Sequence, residues 1–172
     1  RLHLDEYKGI PFHGVAGLPA DAMKYGLAVL CKDRLPDLVI SGINEGANTG
    51  QNLFYSGTFA AAAEGCFAGV PSIALSLASM SETDFSAAAK VAKVLVQRFE
   101  RHPFASDTLL NVNVPKLPYE DLRGFRLSRM GHARFHEEFT ERLDPRGRPY
   151  LWMDGAKNGD DTDPQNDDYQ VH

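Results

Sequence analysis

Apolar and polar positions along this chain fall into blocks that predict strands and helices in alternation. Residues 1–17 mix charges with Ile10, Phe12 and Val15 and predict a short strand with its turns. Pro19 opens a helix at a position where its missing N–H costs nothing. Met23, Gly26, Leu27 and Leu30 follow at i, i+3, i+4 and i+7, which gives that helix one apolar face. Arg34-Leu35-Pro36-Asp37 breaks it. Leu38-Val39-Ile40 is short and wholly apolar, as a strand buried on both faces of a parallel sheet must be. A polar, glycine-rich stretch runs from Asn44 to Gly57, and an alanine-rich helix from Thr58 to Phe67. Ser72 to Leu77 is a second buried strand.

Ser81-Glu82-Thr83-Asp84 has the form of a helix start, a hydroxyl followed three residues later by an acid. Phe85, Ala88, Ala92, Leu95 and Phe99 carry the helical stripe to Arg101, with Pro103 beyond it. Leu110, Val112 and Val114 alternate with Asn111 and Asn113, which predicts a strand over 108–114, and Phe125 to Met130 is a further candidate. The order strand, helix, strand, helix, strand implies an α/β fold, with a mostly parallel sheet covered by helices on both sides. Residues 132–153 are polar and aromatic, with Asp144-Pro145-Arg146-Gly147 as a turn, and predict a projecting β-hairpin arm. Gly155 to Asp168 reads as loop. With no repeat and no linker, the expectation is one domain over 1–172 that includes the arm.

Composition narrows the function classes. The net charge of −5 argues against a nucleic-acid polymer as partner, because that needs a basic face. It still permits a small anionic substrate at a locally positive site. No apolar run reaches the roughly 18 residues of a membrane span, so no membrane partner is expected. Cys31 and Cys66 form no C-x-x-C pair and read as buried free thiols in a reducing, cytoplasmic setting.

The chemistry concentrates between Pro36 and Gly65. Ligands of open α/β sheets bind beyond the carboxyl ends of the strands, which is where the strand at 38–41 delivers Gly42 to Gly50. Gly42, Gly46 and Gly50 permit tight turns, and Asn44 and Asn48 offer amide oxygens and donors. Tyr55-Ser56-Gly57-Thr58 then enters a helix, whose free N–H groups and dipole favour an anion. A phosphate at Ser56, Gly57 and Thr58, with a cation near Asn44, is one coherent arrangement. Turn chemistry accounts for the glycine spacing equally well. A plain N-cap accounts for Ser56 or Thr58, and a left-handed turn for Asn48. The histidines form no H-x-x-x-H pair. Asp160-Asp161-Thr162-Asp163 lacks calcium-loop spacing and reads as solvated. A dinucleotide-binding domain is disfavoured, since no Gly-x-Gly-x-x-Gly follows a strand.

Two long motifs go beyond spacing. Pro36-Asp37-Leu38-Val39-Ile40-Ser41-Gly42-Ile43-Asn44-Glu45-Gly46-Ala47-Asn48 resembles the central signature of the SurE family of 5′/3′-nucleotidases. Tyr55-Ser56-Gly57-Thr58-Phe59-Ala60-Ala61-Ala62-Ala63-Glu64-Gly65 resembles the family's second signature. The strands at Pro71–Leu77 and Leu110–Pro115, and the hairpin around Asp144-Pro145-Arg146-Gly147 with Tyr150-Leu151-Trp152, are similar in the same order.

The resemblance implies a three-layer, Rossmann-like fold with a hairpin arm. It also implies a metal-dependent phosphomonoesterase acting on nucleoside 5′- or 3′-monophosphates, assembled as a homodimer or homotetramer. Its one divalent cation, Mg2+ or Mn2+, would be held by an acidic pair, a serine and an asparagine. That asparagine corresponds to Asn44; Asn48, Ser56, Gly57 and Thr58 would bind phosphate. The acidic pair and the serine align before Arg1, and Leu18 stands where the family tends to have threonine. The chain therefore reads as a fragment, inactive alone, lacking the family's first segment and C-terminal tail. The alternative is a member that binds phosphate or assembles without catalysis.

Overall fold

The structure is a computed structural model that describes residues 1–81, 84–132, 134–158 and 162–171. The chain divides into two compact units, one of Arg1–Asn48 with Phe54–Gly124 and one of Thr49–Leu53 with Phe125–His172.

The first unit is α/β. Its parallel sheet has the order β3 (Val39–Glu45), β4 (Ser72–Ala78), β5 (Leu109–Pro115). β4 lies in the middle and is buried from Ser72 to Leu77, as its unbroken small and apolar run requires. Successive side chains of a strand point to opposite faces. Ile73, Leu75 and Leu77 form the core with Ala88, Val91 and Leu95 of α3 (Ser86–Arg101) and Val114 of β5. The other face carries Ser72 and Ser76, both fully buried. α2 (Gly57–Phe67) packs there through Ala61, Ala62 and Gly65. A Cβ on Gly65 would lie 2.6 Å from Ser72 Oγ and 3.1 Å from Val39 Cβ, so the helix rests on the sheet only because that side chain is missing.

The unit also holds an antiparallel hairpin, β1 (Leu2–Tyr7) with β2 (Ile10–Val15). α1 (Pro19–Tyr25) follows and continues as a wider turn over Gly26–Leu30. With leucine in the capping position, the N–H of Leu18 donates instead to Asp21 Oδ2 at 2.9 Å. Neither α1 nor its continuation has a fully buried residue. Cys31 and Cys66 are free, as expected, but half-buried and not buried.

The start of α3 differs from the sequence expectation. Glu82 and Thr83 lie outside the described residues. The helix begins at Ser86, whose N–H and hydroxyl both donate to the Asp84 carboxylate, at 2.8 and 3.1 Å. Asp84 therefore does the capping that the pattern assigned to Ser81. Its Oδ1 satisfies a backbone N–H that the first turn leaves without a carbonyl, and its Oδ2 takes the hydroxyl.

The second unit contains the arm, an antiparallel pair of β6 (Arg134–Leu143) and β7 (Pro149–Asn158). Its turn is fixed by Asp144, whose Oδ1 accepts from the N–H groups of Arg146 and Arg148. β7 runs past the expected end at 153 because Gly155 adopts φ +147, where a Cβ would collide with the carbonyl oxygen of His136. The apolar residues divide between the hairpin's two faces. Phe135, Phe139, Leu143, Leu151 and Met153 share one, while Tyr150 and Trp152 share the other with Arg142, whose guanidinium lies 5.0 Å from the Trp152 ring.

Phe125–Met130, a candidate strand in the sequence, forms no strand; among the described residues its ladder contact is an isolated bridge, Arg129 with Asn166. The stretch expected to be loop up to Asp168 ends in α4 (Asp167–Val171). Asp167 and Asp168 are buried. Asp167 Oδ1 accepts from the N–H groups of Gly131 and Asp168 at 2.8 Å, and both its oxygens lie 3.2 Å from the Gly50 nitrogen. The run at Asp160-Asp161 lies outside the described residues. No helix among the described residues is long and apolar enough to cross a membrane.

Candidate functional site

β3 does not end at Ser41 but runs on to Glu45, with a shift of register between Ser41 and Asn44. The shift is where Gly42 is needed. Its φ is +127, the Gly42–Ile43 peptide is cis, and a Cβ at Gly42 would sit 2.3 Å from the carbonyl oxygen of Leu75. At this shift the strand lies hard against the backbone of its neighbour β4, and Asn44 follows at the sheet's carboxyl edge. Gly46, at φ +96, turns the chain under Met80.

The orientation of Asn44 follows from its neighbours. Its Nδ2 donates to the carbonyl oxygens of Glu45 at 3.0 Å and Gly46 at 2.8 Å. Carbonyls only accept, so the amide's NH2 half must face them. The Oδ1 half is turned the other way, and none of the described hydrogen bonds uses it. An amide pinned by its donor and free at its oxygen suits a cation ligand, the role the sequence assigned to Asn44.

Asn48 is placed differently. Its side chain is buried and donates from Nδ2 to Ser76 Oγ at 2.7 Å. Its backbone is held as well. The N–H donates to Asn113 Oδ1 at 2.8 Å, and the carbonyl accepts from Asn111 Nδ2 at 2.8 Å and Asn113 Nδ2 at 3.1 Å. Asn48 is therefore the held end of the Asn44–Asn48 turn, with one of its two amide N–H donors committed to Ser76.

Ser56 is the N-cap of α2. Its extended backbone stands just outside the helix, its Oγ accepts from the Phe59 N–H at 3.2 Å, and its carbonyl accepts from the Ala60 N–H. The first two helical N–H groups, those of Gly57 and Thr58, have no carbonyl four residues back within the helix. They point out along the helix axis with the positive end of the dipole. Gly57 is also a packing site, since a Cβ there would lie 2.9 Å from Pro19 Cγ of α1. Thr58 is half-buried. No hydrogen bond among the described residues links Asn44 or Asn48 with Ser56, Gly57 or Thr58.

Chemically, the helix end can hold an anion through two N–H groups and the Ser56 and Thr58 hydroxyls. For a cation the inventory is short. Asn44 contributes one neutral oxygen, and no three His, Cys, Asp or Glu side chains converge among the described residues. A hard divalent cation takes about six oxygen donors. The described donors do not make up that set. Ser76, Asn111 and Asn113 carry local structure that the sequence reading did not assign. Their signal was two asparagines on one face of a strand, where asparagine is disfavoured.

The family model for survival protein SurE matches residues 2–137. A 5′-nucleotidase SurE from Synechocystis is 47% identical over 142 residues, which is 83% of this chain and 51% of that protein. One from Fervidobacterium nodosum is 42% identical over 166 residues, covering 95% of this chain and 64% of its own. The crystal structure of the SurE protein from Aquifex aeolicus superposes with a TM-score of 0.78 at 34% identity, covering 99% of this chain and 69% of that one. The chain spans about half the length of the first of these relatives.

Proposed function

This chain belongs to the SurE family, and from that premise we propose that it serves a phosphomonoesterase that hydrolyses nucleoside 5′- or 3′-monophosphates. The observation that carries the reading is the α2 N-terminus. Gly57 and Thr58 offer two N–H groups with no intrahelical carbonyl, beside the Ser56 and Thr58 hydroxyls, and such a terminus suits a phosphate dianion. In the reaction, water oxygen bonds to phosphorus, the P–O bond to the ribose breaks, and the nucleoside leaves as an alcohol that takes up a proton. The charge on the transferring group stays on the equatorial oxygens, where N–H groups aimed in advance stabilise it most. These residues bind and orient; the described residues assign no general base.

A divalent cation, Mg2+ or Mn2+, belongs to the proposal, with Asn44 Oδ1 as the ligand contributed here and other oxygen donors needed to complete its shell. Asn48 enters as the anchor of the turn. A reducing compartment such as the cytoplasm suits the two free thiols. We also propose a homodimer or homotetramer in which the arm packs on a neighbouring subunit. Phe139, Leu151 and Trp152 are 62%, 66% and 48% exposed, and a two-stranded hairpin is marginal alone in water.

The test is phosphate release from 5′-AMP and 3′-AMP by the complete protein, with Ser56→Ala and Thr58→Ala beside it. Both variants should bind orthovanadate about tenfold more weakly, while helix α2 loses a capping contribution of about 1 kcal/mol at most. Loss of stability with unchanged vanadate affinity would reduce Ser56 and Thr58 to plain caps. Light scattering on a variant lacking residues 134–158 tests the arm: an unchanged oligomer would refute its role.

A further inference from the structure

A second row of residues stands behind the turn. Asn111 and Asn113 lie two apart on β5 and share one face, the face on which β4 presents Ser76. Asn113 treats Asn48 as a neighbouring strand would. Its Oδ1 accepts the Asn48 N–H, and its Nδ2 donates to the Asn48 carbonyl. One side-chain amide thus satisfies both backbone groups of a residue that belongs to no strand. Asn111 adds a second donor to the same carbonyl. Asn48 returns the arrangement through its own side chain to Ser76, on the adjacent strand.

The Asn111 amide shows how strongly this geometry is imposed. Because the Asn48 carbonyl can only accept, Nδ2 must face it. That leaves Oδ1 buried, with no hydrogen bond among the described residues. A buried acceptor without a partner is costly. The fold tolerates one here while keeping the donor on Asn48.

We propose that Asn113 and Asn111 are positioning residues for phosphoryl transfer. Through Asn48 they clamp the turn Asn44–Asn48 and so fix the direction of the Asn44 amide oxygen. The proposal rests on the phosphomonoesterase reading above. It assigns these two residues no contact with substrate. Aspartate cannot replace either, because a carboxylate does not donate to a carbonyl, and leucine can neither donate nor accept.

The experiment uses the complete protein with Asn113→Ala, Asn111→Ala, Asn44→Ala and the two double variants containing Asn44→Ala. Native-state hydrogen exchange reads the Asn48 N–H directly, and its exchange in Asn113→Ala should quicken by about tenfold or more. Turnover of 5′-AMP should fall about tenfold in Asn113→Ala, with the larger part in kcat, because a displaced reactive group costs rate more than binding. On the Asn44→Ala background the same change should cost little further, since the clamp acts through that residue. Independent, additive losses would overturn the proposal, as would faster exchange at Asn48 with unchanged kcat. Unchanged exchange would overturn the clamp itself. Should Asn113→Ala fail to fold, Asn111→Ala carries the kinetic test, because it also removes a buried oxygen that lacks a partner. A wild-type protein that releases no phosphate would instead overturn the phosphomonoesterase reading. That result is distinct from an active wild type whose variants are equally active.

Discussion

The Thr49 hydroxyl donates to Asp168 Oδ1 at 2.6 Å, joining residues 119 positions apart. Both are buried, and the neighbouring Asp167 carboxylate gathers the N–H groups of Gly50, Gly131 and Asp168. This pair of aspartates ties the second unit's two chain segments together by polar contacts that water cannot replace. Thr49→Val should destabilise by about 1–2 kcal/mol, because the valine keeps the volume and abandons a buried acceptor. Asp167→Ala should cost about 3 kcal/mol, since several backbone donors lose one charged acceptor. Urea unfolding followed by circular dichroism measures both, and a Thr49→Val variant as stable as the wild type would sink this account.

Gly65 sets two effects against each other. Alanine in a helix interior gains about 1 kcal/mol of propensity over glycine. Overpacking costs about 1–3 kcal/mol. The added methyl would meet Ser72 Oγ at 2.6 Å, and that hydroxyl is fully buried and already donates to the Val70 carbonyl. Packing should win, leaving Gly65→Ala less stable by about 1–2 kcal/mol. A raised melting temperature in a thermal scan would show that α2 can lift from the sheet.

Asn44 should separate activity from stability. Asn44→Ala removes two hydrogen bonds at a partly exposed turn and should cost the fold only about 1 kcal/mol. Turnover should fall at least about tenfold if Oδ1 serves the reaction. Asn44→Asp is the sharper variant, because it sets a carboxylate oxygen against the Glu45 and Gly46 carbonyls and should deform the turn. Assays of phosphate release beside thermal melts decide, and equal loss of both quantities would return Asn44 to a structural role.

The cap of α3 carries a pH signature. The Ser86 N–H, and after it the Ser86 hydroxyl, hold the Asp84 carboxyl below its ordinary value of 3.8; burial opposes them and Lys90 assists. A group whose pKa is depressed by folding stabilises the folded state above its unfolded pKa and loses that contribution as pH falls through the folded one. The stability gap between wild type and Asp84→Ala should therefore be full at neutral pH and close progressively as pH falls through 3.8 and below. Urea midpoints at neutral pH and at about pH 3 test this; a gap as wide at the lower pH as at neutral pH contradicts it.

Much of the first unit was legible because burial on both faces leaves a plain trace. Ser72–Leu77 reads as a central strand and is one, and the Ala88, Leu95 stripe reads as a helix face; Leu38-Val39-Ile40, expected to be buried on both faces, instead enters β3 at the end of the described sheet, with Val39 buried and Ile40 exposed. The arm announced itself through its Asp-Pro-Arg-Gly turn. Long-range polar pairing left no such trace. Nothing local to Asn111 or Asn113 says that their partner is Asn48, 63 and 65 residues away. Asp167 and Asp168 sit in a run rich in Asp and Asn, and only the tertiary contacts distinguish them from solvated loop. Phe125–Met130 has strand-like composition, yet its only described ladder contact is the single bridge from Arg129 to Asn166.

The close approach of Gly42 to the Leu75 carbonyl limits how freely this chain can drift. Every single-base change in a glycine codon that replaces glycine with another amino acid introduces a Cβ. Here any Cβ would lie 2.3 Å from a backbone oxygen that pairs within the central strand, on a residue whose φ of +127 already excludes other side chains. Neither obstacle can be relieved by moving a flexible side chain. Position 42 thus has no silent neighbour among amino-acid substitutions, whereas Gly69, with open space around its missing side chain, meets only the conformational obstacle of its φ of +81. In a library covering every substitution, position 42 should stand as a gap, visible in a screen for folding before any assay of activity is run.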